Sequence, residues 1–407
     1  MSRHAIAQYV ASRPSPVCGY VYDLAQLRDR CERLRALLPS GCALFYAVKA
    51  NSDAAVLRTV GPVVDGFEVA SLGEIEKVRA VVPNDAIVFG GPGKTDAELE
   101  GALHHGVAMF HIESEHQLRR LDWLAGQRGC VVDLLLRVNP AHAPAQANLR
   151  MGGTPTQFGI AQDQLPAVLA VARQCRHVRV QGLHFHAMSN NLDAQAHLAL
   201  VAHYLALANA WQREYSLPLA CLNAGGGIGV DYADPGHAFD WAGFCDGLVP
   251  LLAAQGPQPP RLVFECGRVL AASCGHYVAE VIDLKACFGH WFAILRGGSH
   301  HFRLPSSWQH DHPCFVIERE PWPYPFARPS VSDQRVTLCG ELCTPKDVLA
   351  REVALPRLRV GDCLAFPLAG AYGWHISHHD FLSHPHPERL FLDEPVPGAP
   401  VLPNTGA

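Results

Sequence analysis

The chain has 407 residues, 49% apolar and 17% charged, with a formal net charge of −5. That length suggests two domains, or one large barrel with an addition, and the apolar content is ample for a sizeable core. The mild acidic excess excludes the global basic field that draws in nucleic acid, and no run nears the roughly 18 apolar residues that would cross a bilayer. Fourteen cysteines are scattered without any C-x-x-C pair, and several (Cys42, Cys130, Cys221) lie in apolar stretches. This fits reduced thiols in a cytoplasmic protein better than a disulfide framework or a zinc knuckle. Residues 1–15 carry no apolar core segment, so no signal peptide is expected. From about residue 24, amphipathic patches alternate with short apolar runs. Asp23 is placed to cap a helix that begins at Leu24 and runs toward Leu38. Strands are expected at Leu44–Val48, Gly66–Val69, Ile87–Phe89, Met109–Ile112, Val131–Val138, Val178–His186, Ala220–Asn223 and Arg261–Glu265. Helical segments fall between them, among them Leu72–Val81, Glu115–Leu124, Gln164–Cys175 and Ala194–Glu214.

Eight strands with intervening helices predict an α/β fold, a TIM-like (β/α)8 barrel over 24–270. A doubly wound sheet is the competing architecture. After Arg268 the pattern shifts to short alternating runs (Tyr277–Leu284, Trp291–Leu295, Cys314–Glu318, Arg335–Cys339) amid denser Gly, Pro and aromatic residues. That predicts a β-sandwich or small β-barrel domain over 271–407, joined by residues 1–23, whose Val17–Tyr22 segment is strand-like. The Pro-rich tail from Pro395 is expected to be loose.

In a barrel, reactive side chains gather at the C-terminal ends of the strands, and the marked positions fall there. Lys49 ends the first run, where desolvation would lower its pKa and make it a nucleophile able to form a Schiff base. A lysine snorkelling from a strand end is the plainer alternative. Glu68 and Ser71 follow the second strand. His184-Phe185-His186 closes the sixth, with three readings open: a metal pair on one strand face, a ring lying over a cofactor, or packed core imidazoles. Gly225-Gly226-Gly227-Ile228-Gly229 follows the seventh, and its backbone N–H groups could cradle a phosphate, although a flexible loop is equally consistent. It fails both the Walker and the dinucleotide patterns, since no Gly-Lys-Ser/Thr follows and Val230 stands where a third Gly is needed. Glu265-Cys266-Gly267-Arg268 ends the eighth strand, where an acid could hold a pyridinium nitrogen and Arg268 could reach a phosphate. In the second domain, Cys343 is a candidate proton donor or a buried thiol, and Tyr372 offers a phenol in a turn. His375, His378, His379, His384 and His386 match no zinc spacing, and no metal is expected.

Taken together, Phe45-Tyr46-Ala47-Val48-Lys49-Ala50-Asn51, Glu68-Val69-Ala70-Ser71-Leu72-Gly73-Glu74, Phe185-His186-Ala187-Met188-Ser189, Gly225-Gly226-Gly227, Glu265-Cys266-Gly267-Arg268, Gly340-Glu341-Leu342-Cys343 and Gly370-Ala371-Tyr372-Gly373 resemble the fold-type III pyridoxal 5'-phosphate decarboxylases. That group includes ornithine, arginine and diaminopimelate decarboxylases. The resemblance implies that Lys49 carries the cofactor covalently, His186 stacks on its ring, and Glu265 pairs with its ring nitrogen. Glu68 and Gly267 would complete the cofactor site, while Ser189, Gly225, Gly226, Gly227, Arg268 and Tyr372 would hold the phosphate. Cys343 would come from the partner of a head-to-tail homodimer with shared active sites and return a proton to the substrate.

Three further stretches, His184–Asn191, Cys343–Asp347 and Gly373–Phe381, are similar to a siderophore-biosynthesis branch of the staphyloferrin B type. This similarity implies a carboxylate-rich substrate, a citryl-diaminopropionate conjugate, gripped by Arg303 with His301, Glu341 and Thr344 nearby. Glu341 stands where the family carries proline, and Thr344 where it carries an acid that would bind a distal ammonium. Three alternatives remain: diaminopimelate or another diamino acid as substrate, a metal-dependent barrel hydrolase built on His184 and His186, and a non-catalytic cofactor carrier. No nucleic-acid or membrane partner is expected.

Overall fold

The computed structural model describes residues 1–141, 155–234, 236–320 and 322–393. The expected tail from Pro395 lies outside them. The chain divides into two compact units. One comprises Arg28–Val230 and Ala238–Leu270; the other comprises Met1–Leu27, Asp231–His237 and Ala271–Glu394.

The first unit is a closed parallel barrel. Its strands are β1 (Cys42–Ala47), β2 (Gly66–Val69), β3 (Ile87–Phe89), β4 (Met109–Ile112), β5 (Val132–Asn139), β6 (Val178–His184), β7 (Cys221–Asn223) and β8 (Arg261–Cys266). Each pairs with the next, and β8 closes on β1 with Leu262 opposite Cys42 and Cys266 opposite Tyr46. Closure excludes the doubly wound alternative, which would leave two open edges. All six residues of β1 are buried, as parallel strands covered on both faces require. The short strand Ile160–Ala161 adds to the end of β5.

Helix caps fix where the chain leaves each strand. Ser71 caps Leu72–Val81 by accepting from Glu74 N at 3.2 Å, while the Glu74 carboxylate accepts from Ala70 N at 2.7 Å. Asp193 accepts from Gln195 N and Ala196 N at the start of Ala194–Tyr215. These caps set the angle of the loops that carry the site.

Two strand ends differ from the sequence expectation, and both differences matter for chemistry. β1 stops at Ala47, and Val48–Ala50 form a 3-10 turn that carries Lys49 out of the strand. β6 stops at His184, so the alternation that would aim His184 and His186 to one side ends before His186.

The second unit is built on an eight-stranded sheet. Its long strand Gly275–Cys287 pairs antiparallel with Cys18–Asp23, Cys363–Phe366 and His290–Leu295, with a register shift between Val281 and Asp283. The strand Ser330–Cys339 runs parallel to His290–Leu295 and antiparallel to Val348–Arg359. Cys18–Asp23 also runs parallel to Glu388–Leu392. Asp23 accepts from Gln26 N at 2.8 Å, the expected cap. The residues before this strand form a helix, Arg3–Ala11, which buries Ile6, Tyr9 and Val10 in a small core with Val17, Val21 and Val278.

Asp347 organises the loop that carries Cys343. It is buried, and its two carboxylate oxygens accept from Ser299 N at 2.6 Å and Leu342 N at 2.9 Å. Replacing it with alanine strands both N–H groups, at a cost of about 3–5 kcal/mol. Urea unfolding of Asp347→Ala should therefore show a clearly lowered midpoint, with Asp347→Asn falling between it and the unaltered protein.

No helix of the described residues is long and apolar enough to cross a membrane.

Candidate active site

The mouth of the barrel collects polar side chains that an apolar core would not tolerate without partners. Lys49 Nζ lies 2.8 Å from Glu68 Oε2, and its side chain is 44% exposed while that of Glu68 is 7% exposed. The expectation of a desolvated lysine is corrected here. The 3-10 turn lifts Lys49 toward solvent, where the adjacent Glu68 carboxylate pairs with its amine.

Glu265 ends β8 and is buried. Its Oε1 accepts from Asn223 Nδ2 at 2.7 Å. His111 Nδ1 lies 3.6 Å from Oε1, and His184 Nε2 lies 3.5 Å from Oε2. Burial, reinforced by Glu68, pushes the Glu265 carboxyl up to about 8, while Lys49 opposes the shift. Burial also holds His111, His184 and His186 well below the ordinary imidazole value, so all three are neutral. Arg137 on β5 is buried and paired with Glu113 at 2.8 Å, and Glu113 also accepts from Gly159 N at 2.9 Å.

The loop after β7 is shaped by close approach. A Cβ at Gly226 would stand 2.0 Å from the Glu265 carbonyl oxygen. One at Gly227 would stand 2.4 Å from the Met188 carbonyl oxygen, and Gly227 has φ +91°. Only glycine fits at either position. The same loop is laced to the segment after β6. Asn191 N donates to Gly227 O at 2.7 Å, Gly229 N to Asn191 O at 2.9 Å, and Val230 N to the Asn190 side chain at 3.1 Å. Gly226 N donates to His186 Nδ1 at 3.2 Å, which leaves the proton of this neutral ring on Nε2 and fixes the ring plane. Gly225, Gly226, Gly227 and His186 are thus brought together, with Ser189 in the segment laced to them. Gly267 packs against Ala50, where an added Cβ would stand 2.7 Å from its methyl group, and the buried Arg268 follows directly.

In the other unit, Cys343 is exposed, which removes the buried-thiol alternative. Arg303 is also exposed; its backbone N donates to Ser377 Oγ at 3.0 Å. Arg303, Thr344, Lys346, Arg351 and His378 line a groove of 730 Å³ within this unit. Tyr372 has φ +54°, an uncommon conformation for a residue with a side chain.

Two residues expected near the substrate are engaged by the protein itself. His301 is fully buried, its carbonyl accepts from Tyr20 OH at 2.7 Å, and its Nδ1 lies 3.6 Å from Cys18 Sγ. The Glu341 carboxylate is taken up by an ion pair with Arg296 and by Gly297 N at 2.9 Å; it anchors the loop rather than facing a substrate. His111, Arg137, Glu113 and Asn223 were not singled out from the sequence. Their one signal was polarity inside apolar strand runs.

The chain belongs to the pyridoxal-dependent decarboxylases. The family model for the pyridoxal-binding domain of these enzymes matches residues 24–272. A 2-[(L-alanin-3-ylcarbamoyl)methyl]-2-hydroxybutanedioate decarboxylase of Staphylococcus aureus is 46% identical over 389 residues, covering 96% of this chain and 97% of that protein. A diaminopimelate decarboxylase of Bacteroides thetaiotaomicron is 31% identical, covering 87% of this chain and 90% of its own. The crystal structure of diaminopimelate decarboxylase from Helicobacter pylori complexed with L-lysine superposes with a TM-score of 0.83 at 24% identity, covering 96% of this chain and 94% of that one. The protein is therefore a pyridoxal phosphate-dependent carboxy-lyase. The residues at the barrel mouth suit that cofactor, which needs a primary amine, a buried acid for its ring nitrogen and a backbone-lined cradle for its phosphate.

Proposed function

We propose that this enzyme decarboxylates a citryl-diaminopropionate conjugate in siderophore biosynthesis, with Lys49, Glu68, His186, Glu265 and the glycine cradle as its cofactor site. The observation that carries the substrate reading is the exposed groove lined by Arg303, Lys346 and Arg351, of which Arg351 also pairs with Asp311 at 3.3 Å. It suits a ligand end crowded with carboxylates and repels a distal ammonium. The 46% identity to the Staphylococcus aureus enzyme supports the same reading.

Bound here, the cofactor supplies an electron sink for the pair left behind when CO2 departs. The chain's own residues do the rest. Glu68 Oε2, 2.8 Å from Lys49 Nζ, orients the amine at the mouth of the barrel. Glu265 would pair with the ring nitrogen of the bound cofactor and keep it protonated. His186, fixed through Nδ1, presents a ring face. Ser189, the glycine backbone, Gly267, Arg268 and Tyr372 would hold the cofactor's phosphate. A proton returns to the α-carbon from Cys343 Sγ or Lys49 Nζ. Two copies pair head to tail, each lending Cys343 to the other's barrel. Cysteines scattered along the chain without any C-x-x-C pair support a reducing, cytoplasmic setting.

Timed CO2 release from citryl-diaminopropionate, diaminopimelate, ornithine and lysine tests the reading, and faster turnover of a free diamino acid would overturn the substrate assignment. Arg303→Ala should raise KM for the citryl conjugate about 10- to 100-fold with kcat little changed, because a charge-assisted contact present throughout the reaction is lost.

A further inference from the structure

Beneath Glu265 lies a layer of neutral hydrogen-bond donors whose orientation the structure determines. Gly225 N donates to Asn223 Oδ1 at 2.8 Å. That contact turns the Asn223 amide nitrogen toward Glu265 Oε1, at 2.7 Å, and toward His111 Nε2, at 3.4 Å. His111 Nε2 therefore faces a donor and must be the bare nitrogen of a neutral ring, so its proton sits on Nδ1, which points at Glu265 Oε1. His184 lies 4.1 Å from His111, ring centre to ring centre, and brings Nε2 to the other oxygen, Oε2. Both rings are buried, and neither His111 Nδ1 nor either ring nitrogen of His184 has a hydrogen-bond partner. The gaps to Glu265 of 3.6 and 3.5 Å are a few tenths of an ångström longer than a good hydrogen bond. A buried unsatisfied donor carries a cost that disappears once the facing carboxylate is charged and draws it in.

We propose that His111 and His184 are positioning residues that act through Glu265: two neutral imidazoles whose N–H groups close onto its two oxygens and hold it as a carboxylate against the cofactor's ring nitrogen. This inference rests on the assignment of Glu265 to that nitrogen. The remaining charged groups around Glu265 are Glu68, which opposes its ionisation, and Lys49 and Arg137, which favour it. Lys94, whose Nζ donates to the His111 carbonyl at 2.8 Å, helps keep the His111 ring neutral. A neutral ring is what the device requires, since an imidazolium would compete with the ring nitrogen for the carboxylate.

The test is the dissociation constant of pyridoxal 5'-phosphate for the cofactor-stripped full chain, measured by equilibrium fluorescence from pH 5.5 to 9. His111→Phe and His184→Phe keep ring volume but remove the donor. Each should weaken binding at pH 7 about 10- to 100-fold, in the range typical of partners that orient a ligating group. Each should also move the inflection of the pH profile upward. His111→Asn and His184→Gln, whose amide nitrogens stand near Nδ1 and Nε2, should restore affinity to within about threefold. A merely structural role predicts no shift of the inflection and no rescue by an amide.

Phenylalanine variants that match the unaltered protein in both affinity and inflection, while Glu265→Gln loses both, would overturn the inference alone. A Glu265→Gln variant that changes neither would overturn the ring-nitrogen assignment and the inference with it. If the phenylalanine variants fail to fold, nitrogen-15 histidine NMR of the unaltered protein decides. Neutral rings at 111 and 184, with their N–H protons moving downfield when cofactor binds, support the inference; an imidazolium, or unmoved resonances, overturn it.

Discussion

Lys49→Ala is expected to fold normally and to lose CO2 release by at least about 10³-fold, together with the visible absorption band of the bound cofactor. The size follows from two duties on one atom. In the proposed function Lys49 Nζ holds the cofactor and is one of two groups that return a proton to the substrate. Its neighbour Glu68 Oε2 lies 2.8 Å away and orients it. Lys49→Arg should fail almost as badly, because a guanidinium keeps its charge at any usable pH and cannot serve as the nucleophile. Absorbance and a CO2 assay on the three proteins check this, and an arginine variant with near-normal turnover would remove Lys49 from the chemistry.

Glu265→Gln should cost about 10²- to 10³-fold in kcat, because an amide cannot hold a ring nitrogen in its protonated form. The substitution also carries a pH signature in the cofactor-free protein. Burial and Glu68 raise the Glu265 carboxyl from 4.5 to about 8. Between those values the folded chain keeps a proton that the unfolded chain releases, so stability falls as pH rises through that window and is fully present below it. The Tm of the cofactor-free protein should accordingly drop between pH 5 and 8 more than that of Glu265→Gln, which has nothing to titrate there. Parallel melting curves for the two proteins would contradict the burial argument.

Much of the barrel was legible because its strands are short apolar runs buried on both faces. Gly66–Val69, Ile87–Phe89 and Met109–Ile112 begin and end as the pattern predicts. Where strand ends shifted, local turn geometry prevailed over hydrophobic continuity, as at Val48–Ala50. The helix Asp96–His104 carried a readable signal that went unused: Thr95 and Glu98 form a reciprocal capping box. The helix Trp241–Ala253 was hidden by the proline inside it, Pro250.

Within the site, Lys49, Glu68 and Glu265 were marked as strand-end positions, and the roles proposed for them came from the combined resemblance rather than from any one position. The supporting layer was not. Arg137 sits in an apolar run and must find an acid, but nothing in the order of residues says that Glu113 is that acid. His111 looked like one polar interruption of β4, and only the closed barrel brings it to His184 and Glu265. His301 and Glu341 show the converse: residues beside a reactive loop in the chain can be consumed by the packing that holds the loop.

The most direct measurement is borohydride reduction of the purified holoenzyme followed by peptide mass mapping. The account predicts one cofactor mass per chain, on the peptide that contains Lys49, and none in Lys49→Ala. A cofactor mass on another lysine, or on no peptide at all, would contradict it.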